Sequence, residues 1–359
     1  MKTVPQTLSL FPEMENAGKR FPQPQYLGAK FIHRDWIKEF IPDGVDVALD
    51  AFSGSQSIAY MFKQLGLKTI TNDFLHFNAM IGKALIENKA DVLTESDMSV
   101  LMESNSNPDE YNLIDRLFTG LFFTAEDSAF IDSLRSNIPR LASEYKRALA
   151  FTIANRALTR KVTMGHFAHT QALAYAADPA RVKRNRSLVR PMRDLFVELA
   201  DEYNAAVFDN GCECESHSED IMNLLPRLDN VDMVYFDPPY CSSHADYQSF
   251  YHLLETFTVY WKDKEFVNGT KRYSPKRHSG FDTKGEAMAS FGRLFEMSDS
   301  IPYWLISYND RSYPDIDTFV GFVSRFRKVR VEKKQYGNSR GGKGSVAGSH
   351  EVLLVCNPY

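Results

Sequence analysis

Apolar residues crowd together in VDVALD (45–50), a run too short for a helix and the right length for a buried strand. The tight turn AFSGS follows. SIAYMFKQL then places Ile58, Met61, Phe62 and Leu65 at helical spacing, with Gly66 as its C-terminal stop. LKTITND (67–73) reads as a second strand. Strand, turn, helix and strand make a βαβ unit, which implies a parallel sheet and a right-handed crossover. Helical patterns dominate 79–204, in YNLIDRLFTGLFF, AEDSAFIDSLRSNI, ASEYKRALAFTIANRALTR and RPMRDLFVELADEYN. Strand patterns return at AAVFD (205–209), VDMVYF (231–236), YWLISY (303–308), FRKVRV (326–331) and EVLLVC (351–356).

The expected organisation is therefore a loose N-terminal arm (1–20) and an α/β domain formed by 21–78 with 205–359. A mainly helical insertion (79–204) interrupts it. The chain has 359 residues, 43% hydrophobic and 25% charged, which suits folded domains and rules out wholesale disorder. Only 4 Cys are present, so a disulfide scaffold is ruled out. No apolar run approaches the roughly 18 residues of a membrane helix, and residues 1–25 lack a signal-peptide pattern. A cytoplasmic protein with reduced thiols and no membrane partner is expected.

Asp50 ends the first strand, Ser53-Gly54-Ser55 forms the turn, and Asp73 ends the second strand 23 positions later. This is the arrangement of a nucleoside-cofactor site, with the later carboxylate placed for ribose hydroxyls; an ordinary strand–helix turn with Asp73 as a helix cap has the same form. The turn has one glycine, with Phe52 and Ser53 before it. It lacks the three spaced glycines that let backbone approach a pyrophosphate. That disfavours a nicotinamide cofactor and favours S-adenosylmethionine, which has ribose and adenine but no phosphate. Gly337, Gly342 and Lys343 match part of a P-loop, but Gly344 replaces the hydroxyl residue and a strand follows instead of a helix.

Asp237-Pro238-Pro239-Tyr240 follows VDMVYF directly. The prolines forbid a continuing strand and stiffen the turn. They present a carboxylate, a carbonyl and an aromatic ring at a strand's C-terminal end, where open α/β sheets bind ligands. Such a turn suits methylation of an exocyclic amine on a nucleobase. Asp237 and the Pro238 carbonyl would accept the two amine protons and Tyr240 would stack on a flipped-out base.

With these motifs in order, most of residues 22–359 resembles the DPPY-type adenine-specific DNA methyltransferases, especially the FokI-type restriction–modification methylases. QYLGAKFIHRDWI (25–37) is similar to the family's N-terminal cofactor motif, which implies that Tyr26 and Lys30 lie near the methionine moiety. LDAFSGSQSIAY is similar to the main cofactor loop, with Asp50, Phe52, Ser53 and Gly54, and ITNDF to the ribose-binding strand end with Asp73. HSEDIMNLLP (217–226) resembles the segment whose acidic residue, here Asp220, meets the cofactor adenine, and WLISYND (304–310) resembles a target-pocket strand. The resemblance implies a class I, Rossmann-like methyltransferase fold and methyl transfer to adenine N6 in double-stranded DNA, with a cognate restriction endonuclease acting separately. Cytosine N4 methylation and a non-catalytic DNA-binding relative are the alternatives.

Lys and Arg total 42 against 46 Asp and Glu, a net charge of −4, so a DNA footprint has to be local. RVKRNRSLVRPMR (181–193) supplies Arg181, Lys183, Arg184 and Arg186 without an acid. KRYSPKRHSGFDTK (271–284) supplies Lys271, Arg272, Lys276 and Arg277 with Tyr273 and Phe281 interleaved. TRKVTMGHF (159–167) is a third candidate. A solvated face gives the same charge pattern. Cys212, Cys214 and His217 lack the second spaced pair of a structural zinc site, so no metal is expected.

Overall fold

A computed structural model describes residues 19–239, 246–281, 283–309, 312–335 and 350–359. Among these, seven strands form one sheet: β1 (Val47–Asp50), β2 (Lys68–Asn72), β3 (Glu215–His217), β4 (Met233–Phe236), β5 (Tyr303–Asn309), β6 (Lys328–Gln335) and β7 (His350–Asn357). Their order is β3-β2-β1-β4-β5-β7-β6. The first five run parallel, and β7 inserts antiparallel between β5 and β6. The mostly parallel sheet with covering helices is that of a class I methyltransferase fold.

Alternation along the strands builds two cores. Leu49, Val234, Phe236, Trp304 and Ile306 point to one face, against Phe291, Phe295 and Phe319. Ala48, Met233, Tyr235 and Leu305 point to the other, against Trp36, Ile37, Ile58 and Phe62. Burial on both faces explains why β1 and β4 read as continuous apolar runs.

The stretch read as helical contains the helices Leu113–Phe118, Ala125–Asn137, Glu144–Arg160 and Met192–Ala206. Their inward residues, among them Ile131, Leu149, Ile153, Leu195 and Phe196, share a third core with Tyr251, Leu253, Leu254 and Phe257. The helix His252–Val259, which follows the Asp237 turn in sequence, is thus packed into the helical layer.

One local expectation is corrected. AAVFD is not a strand: the helix Met192–Ala206 runs through its first residues, and Val207 and Phe208 pack into the helical core. The edge strand is the polar Glu215–His217, where pairing to Ile70–Asn72 overrides a sequence with no strand periodicity. The first crossover helix starts at Ser57, as the pattern SIAYMFKQL suggests, because Gln56 adopts a left-handed conformation with φ 66°. Its buried amide donates to Ser53 Oγ (2.7 Å) and to the Asn78 carbonyl (3.2 Å), which holds the turn rigid.

The chain moves from β1 outward to β3 on one side and from β4 outward to β5 on the other. The direction reverses between β1 and β4, where Asp50 pairs in register with Tyr235. Residues leaving these two strands therefore open into a shared crevice, the location favoured for ligands in such sheets.

Candidate active site

After β1, backbone bonds fix the turn: Ala51 N–H donates to the Tyr235 carbonyl (3.1 Å) and Ser53 N–H to the Asn72 carbonyl (3.0 Å). Gly54 N–H donates to Asp73 Oδ2 at 2.8 Å. Gly54 has φ +46°, and a Cβ there would stand 3.2 Å from the Tyr26 ring. Glycine is thus required both for the backbone angle and for close approach of the ring.

Asp73 Oδ1 accepts from Leu75 N–H (2.7 Å) and the Asn78 amide (3.2 Å). Burial raises its pKa to about 6 despite these hydrogen bonds. Asp50 is almost wholly buried, and its Oδ1 has no hydrogen-bond partner among the described residues. Burial, with Asp237 and Asp73 nearby, pushes its pKa well up. A buried carboxylate oxygen without a partner is costly in an isolated protein and is accounted for when a ligand supplies a donor.

Past β4, Asp237, Pro238 and Pro239 leave the sheet beside this turn. Lys30, on a short turn near the N-terminal end of the described chain, reaches Asp237 Oδ1 at 2.9 Å and Oδ2 at 2.8 Å. Its ammonium also donates to the Gly28 carbonyl (3.1 Å) and lies 3.6 Å from Glu351 of β7. Burial opposes the charge on Lys30, but Asp237 and Glu351 outweigh it and hold its pKa well above the usual value. His33, one turn further on, is pushed down to about 4 by burial and by the nearby Lys30.

Aromatic rings form the walls. Tyr26 stacks on Tyr251 (centroids 4.7 Å apart) and on Tyr247 (5.7 Å). The Tyr251 hydroxyl accepts from Leu27 N–H at 2.7 Å, which fixes the segment carrying Gly28 and Lys30. Phe52 meets Phe281 edge-on at 5.3 Å. Asp220 caps the turn Ile221–Leu224 by accepting from Met222 N–H (3.0 Å) and faces the same space. The cleft so enclosed holds about 1040 Å³ including its open mouth.

Tyr26, Lys30, Asp50, Phe52, Ser53, Gly54, Asp73, Asp220, Asp237, Pro238 and Pro239, singled out from the sequence, all line this one cleft. Tyr240 lies outside the described residues. Sequence reasoning missed Tyr247, Gln248, Phe281 and Glu351 as parts of the site. The i, i+4 tyrosines of YQSFY and the acid opening the apolar strand EVLLVC were the available signals.

The basic candidates separate by geometry. Arg181, Lys183, Arg184 and Arg186 are exposed on the helix Pro179–Arg184 and the turn after it, with Arg181 paired to Asp178 and laid over the Tyr175 ring. In the second run, Lys276 pairs with Asp246 at 2.5 Å. The Arg272 guanidinium donates to the Ala168 carbonyl (3.3 Å). Arg277 lies over the Phe74 ring, donates to the Phe74 carbonyl and stands 3.4 Å from Glu255. Lys271 occupies a left-handed turn position. Among the described residues no cluster of His, Cys, Asp and Glu is placed to hold a metal, and no helix is long and apolar enough to cross a membrane.

Residues 26–318 match the family model of the D12 class N6 adenine-specific DNA methyltransferases. The chain belongs to this family. It is an adenine-specific DNA methyltransferase. It is 31% identical over 343 residues to the type II methyltransferase M2.HphI of Haemophilus parahaemolyticus, covering 94% of this chain and 98% of that protein. Identity is 25% to the modification methylase LlaI of Lactococcus lactis subsp. lactis and 23% to the type II methyltransferase M.FokI of Planomicrobium okeanokoites, covering 92% and 87% of this chain. The chain spans about half the length of those two proteins, 53% and 50% respectively.

Proposed function

We propose that the cleft takes S-adenosylmethionine and a flipped-out adenine side by side, and that the enzyme is a site-specific modification methylase of a restriction–modification system. The juxtaposition of Asp237 and Pro238 with the Gly54–Asp73 turn in one cleft carries this reading. Asp73 accepts the ribose hydroxyls, and Asp220 meets the adenine of the cofactor. Phe52 and Phe281 provide an apolar wall, and Tyr26 and Lys30 border the methionine end. The lone acceptor at Asp50 Oδ1 and the phosphate-free chemistry of the Phe52–Ser55 turn fit a nucleoside bearing an amino acid. S-adenosylmethionine supplies, when bound, a methyl group made electrophilic by a positively charged sulfur.

The amino nitrogen of adenine is a weak nucleophile because its lone pair is delocalised into the ring. Asp237 and the Pro238 carbonyl accept its two protons, favour a pyramidal nitrogen and aim the lone pair at the methyl donor. Alignment and fixed acceptors then replace prior deprotonation. The N–C bond would form as the methyl–sulfur bond breaks, leaving a neutral thioether, and the surplus proton on the methylated nitrogen would leave to solvent after transfer. Lys30 bonds both Asp237 oxygens, but a carboxylate oxygen accepts at two lone-pair sites, so the ammonium and the amine can share Asp237.

Incubating the enzyme and S-adenosylmethionine with unmethylated genomic DNA, then mapping methylated bases, tests the reading. N6-methyladenine confined to one short sequence context is expected. Methylation scattered without context, or none with this donor, would overturn it. Whether a cognate endonuclease acts on the same sequence is tested by challenging the methylated and unmethylated DNA with extract of the source cells.

A further inference from the structure

We propose that Met164 is the side chain that enters the duplex beside the target adenine and fills the place left when that base turns outward. The proposal rests on the reading that the base is flipped into the cleft. A flipped base leaves neighbours unstacked at a cost of a few kcal/mol, and proteins that open base steps insert apolar side chains, methionine among them.

Met164 stands at the apex of the loop after the helix Glu144–Arg160. It is 60% exposed, while Lys161, Val162, His166 and Phe167 on either side are buried. Met164 is thus the exposed side chain within 161–167, where Thr163 is half-buried and the other residues are buried. Isolated exposed apolar residues are ordinary, so position decides the matter.

The loop is fastened to the rim of the cleft at two points. Gly165 has φ +71°, and a Cβ there would fall 2.3 Å from Gln25 Cγ and 3.0 Å from the Gln25 carbonyl, one residue before Tyr26. Phe167 N–H donates to the Phe250 carbonyl at 2.8 Å, and the His166 ring lies 5.2 Å from the Phe250 ring. Phe250 ends the turn Tyr247–Phe250, whose Tyr247 and Gln248 line the cleft.

Both basic runs are tied to the same loop. Lys161, ion-paired with buried Asp127 at 2.8 Å, donates to the Arg190 carbonyl at 2.6 Å. Arg272 donates to the Ala168 carbonyl from the other side. The loop that carries Met164 is thus bonded to both cationic segments, at Lys161 and Ala168, and at Phe167 to the turn that borders the cleft. Phosphates flanking an opened base would meet the cations there. A stiff support is what a wedge requires, because a loose loop would yield instead of displacing a base.

The test uses a duplex carrying the sequence found by methylation mapping, with 2-aminopurine at the target position. Fluorescence should rise when the unsubstituted enzyme binds and stay low with Met164→Ala. DNA affinity should change by no more than about tenfold, as for removal of one apolar side chain. Single-turnover methylation of the paired adenine duplex should slow by roughly 5- to 150-fold, the range for removing one side chain stacked on a base. Rate should return when the target is mispaired, and Met164→Phe should retain most of it on the paired duplex. Val197→Ala, another exposed apolar residue, should change none of these readings. Equal fluorescence and rate for Met164→Ala and unsubstituted enzyme would overturn the wedge and leave flipping intact. Equal slowing on paired and mispaired targets would overturn it as well. No fluorescence rise with an unsubstituted, active enzyme would overturn both the flipping reading and the wedge.

Discussion

Lys30 and Asp237, 207 positions apart in sequence, meet through both carboxylate oxygens at 2.9 and 2.8 Å. Glu351 stands 3.6 Å from the same ammonium. The N-terminal segment, the turn after β4 and the antiparallel strand β7 therefore converge on one charge. Asp237 is the proposed acceptor for the target amine, so the cation beside it fixes the orientation of that acceptor.

Replacing Lys30 with Met removes the donor that holds both Asp237 oxygens. The carboxylate can then turn away from the amine it is proposed to orient. Single-turnover methylation at saturating S-adenosylmethionine should slow in Lys30→Met by roughly ten- to a hundredfold, the equivalent of one hydrogen bond to a charged group. Lys30→Arg should retain more of the rate, because it keeps a cationic donor beside the carboxylate. An unchanged rate in Lys30→Met would separate Lys30 from the function of Asp237.

Asp73 gives a pH effect of two opposite signs. Its folded-state pKa is about 6, above the ordinary value of 3.8, because burial disfavours its charge. The folded chain keeps the proton between those values while the unfolded chain loses it. Its contribution to fold stability is therefore present at low pH and declines as pH rises from about 4 to about 6. Cofactor binding should run the other way, because the charged carboxylate is the stronger acceptor. A charged hydrogen bond exceeds a neutral one by about 1–1.5 kcal/mol, which corresponds to roughly tenfold in affinity. Calorimetry should show weaker S-adenosylmethionine binding at pH 5 than at pH 7.5, with a midpoint near 6. Asp73→Asn should bind weakly and without that midpoint.

The strands and helices bordering the cleft were legible in the sequence because their signals are local. β1 and β4 are short apolar runs, and the carboxylate-Pro-Pro turn stops β4 within a few residues. Glu215–His217 was illegible because its strand conformation comes from pairing to β2, not from its own side chains. Glu351 was missed for a related reason: an acid at the start of an apolar strand reads as an exposed end, and only the insertion of β7 beside β5 carries it to Lys30. Basic runs showed composition but not commitment. Arg184 and Arg186 are exposed, whereas Arg277 is drawn onto Phe74 and Glu255 beside the cleft.

That difference separates two kinds of DNA-binding phenotype. If Arg184 and Arg186 contact phosphates, neutralising both should weaken binding to all sequences alike. The salt-dependence slope on B-form DNA should fall by about 0.9 for each phosphate no longer neutralised. Arg277→Ala should instead disturb the wall formed by Phe74 and Gln248, to which its side chain and backbone are bonded. It should lower cofactor affinity in the absence of DNA. Filter binding across a salt series, with calorimetry on the DNA-free enzyme, distinguishes the two. A sequence-selective loss with an unchanged slope would place Arg184 and Arg186 on base edges.

Asp237 is the residue on which the chemistry depends, and its substitutions separate an acceptor from a residue that extrudes the base. Asp237→Ala should abolish turnover on any target. Cofactor binding should survive, since the proposed ribose and adenine contacts are Asp73 and Asp220. Asp237→Asn retains the shape and one carbonyl acceptor but loses the charge that holds Lys30. A side-chain amide can present either its oxygen or its NH2 group to the amine, so only part of the population would be oriented for transfer. Measurable but strongly reduced single-turnover methylation is expected, with Lys30 freed from its tighter partner. Mispairing the target makes extrusion easier, so it should restore rate to Met164→Ala and leave Asp237→Ala inactive. If mispairing restored Asp237→Ala to the same extent, Asp237 would be moving the base instead of shaping its amine, and methyl transfer would need a different acceptor in the cleft.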